Sequence, residues 1–340
     1  LIISDSIFTI VFVPPVPDYT AQIMEQIGLA SAPRITVNTD EAAGGACFHK
    51  AVQRILSNEM DIVLACAWRT SPDSFQPESL AHPELKGVTP QHLAKVTVKN
   101  LRHAYHNPYA CDRNIDVGNG KIIASSDLTV KDACNVSIPL QGTPNNAAVC
   151  ILASEAGMRR FQKEGVKLRH PVIVSAVGYA NGQAGHHTLT QDAIAKAYGE
   201  AVVMRIQRPF YEFDFIEVHD DHPAAEIKGY EDFGLCVQGQ AAAFIDGGFP
   251  FLGDFNYGSK MRPYPKLRNL AVNPSGGLTA CGHGGATTNL RQTIFSFWQV
   301  QGTIKKHFGS DALQVPNAKR CAIHSMSNAG NTVTVSILER

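Results

Sequence analysis

The chain has no excess of charge of either sign: 30 lysines and arginines balance 30 aspartates and glutamates among 340 residues. No long run of one sign appears, so neither nucleic acid nor an anionic membrane is favoured as the main partner, whereas a charged small molecule is compatible. CxxC pairs are missing too. The eight cysteines, at positions 47, 66, 111, 134, 150, 236, 281 and 321, are scattered among mostly apolar neighbours. That pattern predicts reduced thiols in cytoplasm rather than a disulfide scaffold. Neither a targeting signal nor a membrane span is expected from the apolar start IFTIVFV, which has no basic region before it and is stopped by Pro14 and Pro15. The first residue is not methionine, which is compatible with an incomplete start. No short-period repeat is visible.

What is present is enough apolar sequence, 44%, to bury a substantial core without metals or staples. Short β-branched runs alternate with helical periodicity, the pattern of α/β layers. Strands are expected at 35–38, 62–68, 147–153, 171–179, 214–219, 321–326 and 332–338. Helices are expected at 41–57, 90–106, 155–164, 191–207, 224–235 and 287–301. The order of the first half loosely recurs in the second. Two segments break the pattern: 71–140, rich in Pro, His and Asn, reads as an excursion from the sheet, and 253–270 reads as a loop that covers a substrate, docks a partner or is simply solvated.

Two constellations carry chemistry. In NPSGGLTACGHGGATT, residues 273–288, five glycines surround one histidine, His283, just before a helical pattern. Such glycine density lets backbone approach a ligand or another strand closely. In EVHDDHPAAEIKGYEDFGLC, residues 217–236, the first residues complete a strand, so His219 and Asp220 fall at its carboxyl end, where open α/β sheets place ligand chemistry. His219, Asp220, Asp221 and His222 are all potential metal ligands. Consecutive residues at a strand end point in opposite directions, however, so the four do not converge on one ion and no metal is expected.

These segments resemble the thiolase superfamily, in its sterol-carrier-protein-type branch. EVHDDHPAAEIKGYEDFGLC is similar to that branch's HDCF segment, and NPSGGLTACGHGGATT to its NPSGG and GHPxGAT segment, in the same order and spacing. CAIHSMSNAGNTVTVSIL resembles the carboxyl-terminal strand pair with its HNxGGSGA turn. VKNLRHAYHNPYA resembles the KNxxxAxxNPYA helix of the loop domain, and TPNNAAVCILASE the segment in which DGAAA precedes an apolar strand. The resemblance implies a five-layer α-β-α-β-α thiolase fold of two similar halves, residues 1–168 with a loop domain at about 71–140, and residues 169–340. It also implies a homodimer, a coenzyme A thioester as substrate with no permanently bound cofactor, and association with a small OB-fold, zinc-ribbon partner protein. The family's upstream first strand is expected to be missing.

The same resemblance places the family's nucleophilic cysteine at Glu41, where CAxG reads EAAG. A cysteine at a helix amino terminus is activated because the helix dipole stabilises thiolate, and a carboxylate does not offer that exchange. Cys47 lies six residues further on, on a different face of the helix, and is not a substitute. Cys281 and Cys321 are closer to the histidines in sequence and are expected to be buried small residues. By resemblance, His219 and His283 flank the reacting thioester and His324 lies nearby on a strand-end loop, while Glu41 serves as general base, as a histidine partner or as a structural replacement. HDCF reads HDDH here and GHPxGAT loses its proline, which changes the surroundings of both histidines.

Three activities follow from the resemblance. One is a carbon–carbon bond-making or bond-breaking enzyme on acyl-CoA without an acyl-enzyme, as in the thiolase-like steroid side-chain aldolases, although those carry tyrosines where this chain has His219 and His283. The alternatives are a conventional thiolase using another cysteine and a non-catalytic subunit of an acyl-CoA-handling complex. Lys260, Arg262, Lys266 and Arg268 are basic candidates for the coenzyme A phosphates.

Overall fold

The computed structural model describes residues 8–13, 20–39, 41–69, 85–111, 113–135, 146–167, 171–182, 189–201, 205–252, 269–327 and 330–340. The first half runs β1 (Phe8–Val13), α1 (Thr20–Gln26), β2 (Arg34–Thr36), α2 (Ala43–Leu56), β3 (Ile62–Arg69), α3 (Pro90–Tyr105), β4 (Asn114–Asp116), β5 (Ile122–Ala124), α4 (Val130–Asn135), β6 (Asn146–Ala153) and α5 (Glu155–Lys163). The second runs β7 (Ile173–Asn181), α6 (Leu189–Glu200), α7 (Pro209–Glu212), β8 (Phe215–Glu217), α8 (Pro223–Asp232), α9 (Ala241–Asp246), β9 (Ala271–Val272), α10 (Gly277–Cys281), α11 (Thr287–Gln301), α12 (Ile304–Phe308), β10 (Arg320–Met326) and β11 (Thr332–Glu339).

Two sheets share one plan. In the first, β1 pairs in parallel with β2 and β3, and β3 pairs antiparallel with β6, giving the order β2-β1-β3-β6. In the second, β8 is parallel to β9 and β10, β10 is antiparallel to β11, and β11 is antiparallel to β7, giving β9-β8-β10-β11-β7. Superposing the two orders matches β6 with β11 and leaves β7 without a counterpart among the described residues. Val149 and Ile151, on the outer face of β6, are exposed.

Strand alternation builds the layers. On β3, Val63, Ala65 and Ala67 face a core shared with Cys47, Phe48 and Ala51 of α2 and Leu290 and Phe295 of α11. Ile62, Leu64, Cys66 and Trp68 point the other way, onto Met24 of α1 and Phe161 of α5. β11 repeats the division: Leu338 joins the α2 and α11 core, while Val333, Val335 and Ile337 pack with Ala193 and Ala197 of α6 and Ile227 of α8. Helices α2 and α11 are therefore the middle layer of an α-β-α-β-α stack, and β11, covered on both faces, is buried along its whole length although Thr and Ser alternate with its apolar residues. Small residues make that middle layer possible. A Cβ on Gly44 would collide with the carbonyl oxygen of Ala286, and one on Gly45 with the Thr334 side chain.

The expected strands and helices are present, most of them with shifted ends. The helix expected at 191–207 stops at Glu200, and Ile206 is already outside it, with its N–H donating back to the Tyr198 carbonyl. The 71–140 excursion contains α3, the β4–β5 hairpin and α4 within its described part. The apolar start is a strand, β1, and no helix among the described residues is long and apolar enough to cross a membrane.

Candidate active site

The glycine loop and the end of β8 are joined by polar seams. Asn273 adopts the left-handed region at φ 50°, which turns its side chain back along β8. Its Oδ1 accepts from the Val218 N–H at 2.8 Å, and its own N–H donates to the Ile216 carbonyl at 2.8 Å. Two residues on, the Ser275 N–H and hydroxyl donate to the Glu217 carboxyl at 3.0 and 2.6 Å. Burial pushes that carboxyl up to about 7, against the Ser275 hydrogen bonds. Asp220 accepts from the Leu278 and Thr279 N–H groups at 2.7 and 3.2 Å and from the Thr279 hydroxyl at 2.8 Å. Gly277, at φ 62°, leaves room for that carboxylate, because a Cβ there would overlap it.

These seams bring the expected histidines together. His219 and His283 stand edge to face with ring centroids 5.3 Å apart, and the His219 backbone N–H donates to Nδ1 of His324 at 3.4 Å. All three side chains are buried, at 1%, 0% and 5% exposure. Nδ1 of His283 accepts from the Gly285 N–H at 2.9 Å, so in the neutral ring the proton sits on Nε2. The same logic places the His324 proton on Nε2. Burial pushes His324 down to about 3, with His219 adding to the shift, and burial lowers His219 against the pull of Asp221. Both are neutral at pH 7. Both ring nitrogens of His219 and Nε2 of His324 are shielded from solvent and have no hydrogen-bond partner among the described residues.

Glu41 lies two residues before α2, half-buried, with Oε2 closed to solvent. The start of α2 packs through Gly44 on Ala286, three residues past His283, and through Gly45 on Ser325 and Thr334, beside His324. The fold thus delivers the helix start that carries Glu41 to the segments that carry His283 and His324.

The other predicted ligands have different work. His222 caps α8, its Nδ1 accepting from the Ala224 N–H at 3.1 Å. Asp220 caps α10, and no group of three or more His, Cys, Asp or Glu able to hold a metal occurs among the described residues. Cys47 directs its thiol to the Cys66 carbonyl, and Cys321 is fully buried; burial pushes both thiols up. Cys281 packs on the Ser275 carbonyl and the Asn107 amide, with its thiol pushed up to about 12 by burial. Lys260, Arg262, Lys266 and Arg268 lie outside the described residues.

Sequence reasoning missed a buried polar knot under the two loops. Lys99 of α3 pairs with Glu226 of α8 at 2.6 Å, both fully buried, and Nζ also donates to the Val272 carbonyl at 2.5 Å. The available signal was the KN pair in VKNLRHAYHNPYA, where a lysine follows apolar residues on a face shared with His103. An apolar groove of about 1670 Å³ runs along β6 past Phe48, Val149, Ile151, Trp298 and Phe308 and reaches the glycine loop at Ser275, Gly277, Leu278 and Cys281. It does not include His219, His283 or Glu41, so site chemistry rather than cavity size locates the candidate centre.

Two stacked sheets around α2 and α11, with His219 just past β8 and His283 on a glycine loop, form the thiolase fold; His324 lies within β10, paired with Val335, rather than on the expected strand-end loop, and residues 181–340 match the family model for a thiolase C-terminal domain-like region. The chain is similar to the superfamily's sterol-carrier-protein-type branch. It is 27% identical to human sterol carrier protein 2 over 360 residues, which covers 92% of this chain and 59% of that protein. It is 26% identical to the acetyl-CoA acetyltransferase of Methanothermobacter thermautotrophicus over 352 residues, covering 94% of this chain and 83% of the relative. A solved structure described as an Ltp2-ChsH2(DUF35) aldolase shares the fold at TM-score 0.70 and 13% identity, covering 98% of this chain and 87% of the other.

Proposed function

We propose that this chain makes or breaks a carbon–carbon bond next to a coenzyme A thioester without forming an acyl-enzyme, in its simplest form a retro-aldol cleavage of a β-hydroxyacyl-CoA. The observation that carries the reading is the set of unpartnered imidazole nitrogens on His219 and His324, enclosed beside the Nε2–H of His283. Buried polar groups without partners are costly, and they persist where a ligand atom completes them. A thioester oxygen that gains negative charge is such an atom, and donors aimed at it are worth a few kcal/mol, about 10²–10³ in rate each.

In this reading Glu41 stands at the family's nucleophile position and its carboxylate takes the β-hydroxyl proton. The O–H electron pair becomes the new carbonyl bond, the bond between the α and β carbons breaks, and its electrons pass to the thioester as an enolate. Hydrogen bonds from His219 and His283 hold the enolate oxygen. Return of the proton to the α carbon yields a shortened acyl-CoA and an aldehyde or ketone. Coenzyme A is part of the substrate, and no resident cofactor is required.

The thiols support this over thiolysis. Burial raises Cys47, Cys66, Cys150, Cys236, Cys281 and Cys321 above the ordinary thiol value, which suppresses the thiolate that an acyl transfer needs. The near-complete enclosure of all three histidine rings favours a second reading, a non-catalytic subunit in an acyl-CoA-handling complex. A small OB-fold, zinc-ribbon partner and a homodimer belong to the proposal, and the DUF35 component in the name of the aldolase neighbour supports the first of these. The test is incubation of the full-length protein, with any co-purifying partner, with β-hydroxyacyl-CoA and product analysis. Cleavage that falls at least 100-fold in Glu41→Gln supports the enzyme reading; absence of cleavage with wild type supports the subunit.

A further inference from the structure

Asn100 sits at the centre of the buried knot, fully enclosed on α3. One side-chain amide reaches two carboxylates: Nδ2 donates to Asp220 Oδ2 at 2.9 Å and to Glu226 Oε2 at 2.6 Å. Its Oδ1 accepts from the Lys99 ammonium at 2.6 Å. Two carboxyl groups side by side repel when both are ionised, and burial together with Glu226 holds the Asp220 carboxyl well above the usual range. The amide places a donor between them, which a hydrocarbon of the same shape does not.

Each carboxylate leads to a different part of the candidate site. Asp220 follows His219 in sequence and caps α10 through Leu278 and Thr279, and α10 ends one residue before Gly282 and His283. Glu226 also accepts from Asn273 Nδ2 at 3.0 Å and from the Tyr230 hydroxyl at 2.5 Å, tying the start of the glycine loop to α8. On α3, His103 Nδ1 donates to the Asn273 carbonyl at 3.0 Å, and just past its end Asn107 Nδ2 donates to the Ser275 carbonyl at 2.9 Å. Residues 99, 100, 103 and 107 form one face of α3 and its end, and that face abuts both loops.

We propose that Asn100 is a positioning residue that sets the His219 and His283 rings relative to each other by bridging Asp220 and Glu226. The inference rests on the reading of these histidines as thioester-polarising groups. Asn100 touches no substrate in it; it acts through Asp220.

The test compares Asn100→Leu, an isosteric loss of the amide, with Asn100→Gln, which restores one on a longer arm, and with Lys95→Ala on the exposed side of α3. Two readouts are used: kcat and KM for β-hydroxyacyl-CoA cleavage, and the ring ¹⁵N resonances of His219 and His283, assigned by single substitutions. In Asn100→Leu, kcat falls about 100-fold, the loss expected from a displacement of about 1 Å, while KM changes by less than about threefold. Both histidine resonances shift, Asn100→Gln recovers part of each effect, and Lys95→Ala changes neither. Where Asn100→Leu fails to fold, Asn100→Gln against wild type carries the comparison, with partial shifts expected. Unmoved resonances in a folded variant overturn the proposal, as does a kcat loss that merely tracks the unfolded fraction. If wild type has no cleavage activity, the function reading fails, and the resonance shifts still decide the role of Asn100.

Discussion

The His219 backbone N–H donates to Nδ1 of His324 at 3.4 Å while the His219 ring stands edge-on to His283 at 5.3 Å. The His219 backbone is held by one histidine and its ring packs on another, yet neither ring nitrogen has a partner among the described residues. Function and stability should therefore oppose each other here. His219→Phe, which keeps a planar ring and removes both polar atoms, is expected to stabilise the fold by about 1 kcal/mol and to abolish carbon–carbon cleavage. Urea unfolding and product analysis on the same preparation check this; loss of stability would mean that the nitrogens are bonded in the native protein.

Acid sensitivity follows from three buried groups. His103 and His324 are held near 3, against about 6.5 unfolded, so between pH 6.5 and 3 the unfolded chain binds the extra protons. Their stability is complete above pH 6.5 and falls with acidification by about 1.4 kcal/mol per pH unit each. Glu217, raised to about 7, runs the other way: the folded state binds its proton between about 4.5 and 7, so stability is lost as pH rises through that window. From these three groups alone, two histidines outweigh one carboxyl between pH 6.5 and 4.5. Glu217→Gln is expected to steepen the fall in that range by about 1.4 kcal/mol per unit, read from urea unfolding at several pH values; an unchanged slope contradicts the assignment.

Gly44 tests how tightly α2 is seated on the histidine loop. Gly44→Ala would drive a Cβ into the Ala286 carbonyl, a backbone group that cannot swing away, so a loss of about 1–3 kcal/mol is expected together with reduced cleavage. Gly199→Ala on α6, with open space around it, is expected to gain about 0.5–1 kcal/mol and to leave activity unchanged. Thermal melts of the pair measure the difference, and equal melting temperatures would contradict the close approach.

Glu41→Cys asks whether the remaining machinery is that of a thiolase. A thiol at the start of a fourteen-residue helix is activated by the helix dipole. With β-ketoacyl-CoA and free coenzyme A the variant is expected to gain thiolysis, releasing two acyl-CoA molecules. No gain would mean that His219 and His283 have lost the alignment for that reaction.

Much of this fold is legible in residue order because β3 and β6 are largely apolar runs of strand length, β11 is rich in β-branched residues, and α11 matches its expected span at both ends. The candidate histidines are legible because glycine-rich turns and strand ends stand out locally. Asp220 looked like a site group and is a helix cap, a distinction that depends on where α10 folds back 58 residues later. The Lys99–Glu226 pair was hidden for the same reason, since a lysine reads as exposed until its partner 127 positions away is known. β1 was hidden differently: its apolar residues fit a strand, but only its pairing with β2 and β3 makes it one.

The most direct test of the account is rapid-quench intact-protein mass measurement during turnover of β-hydroxyacyl-CoA, with products analysed from the same quench. The account predicts a shortened acyl-CoA and a carbonyl product with the protein mass unchanged throughout. An acyl adduct that maps to a cysteine, or the absence of any cleavage, would contradict it.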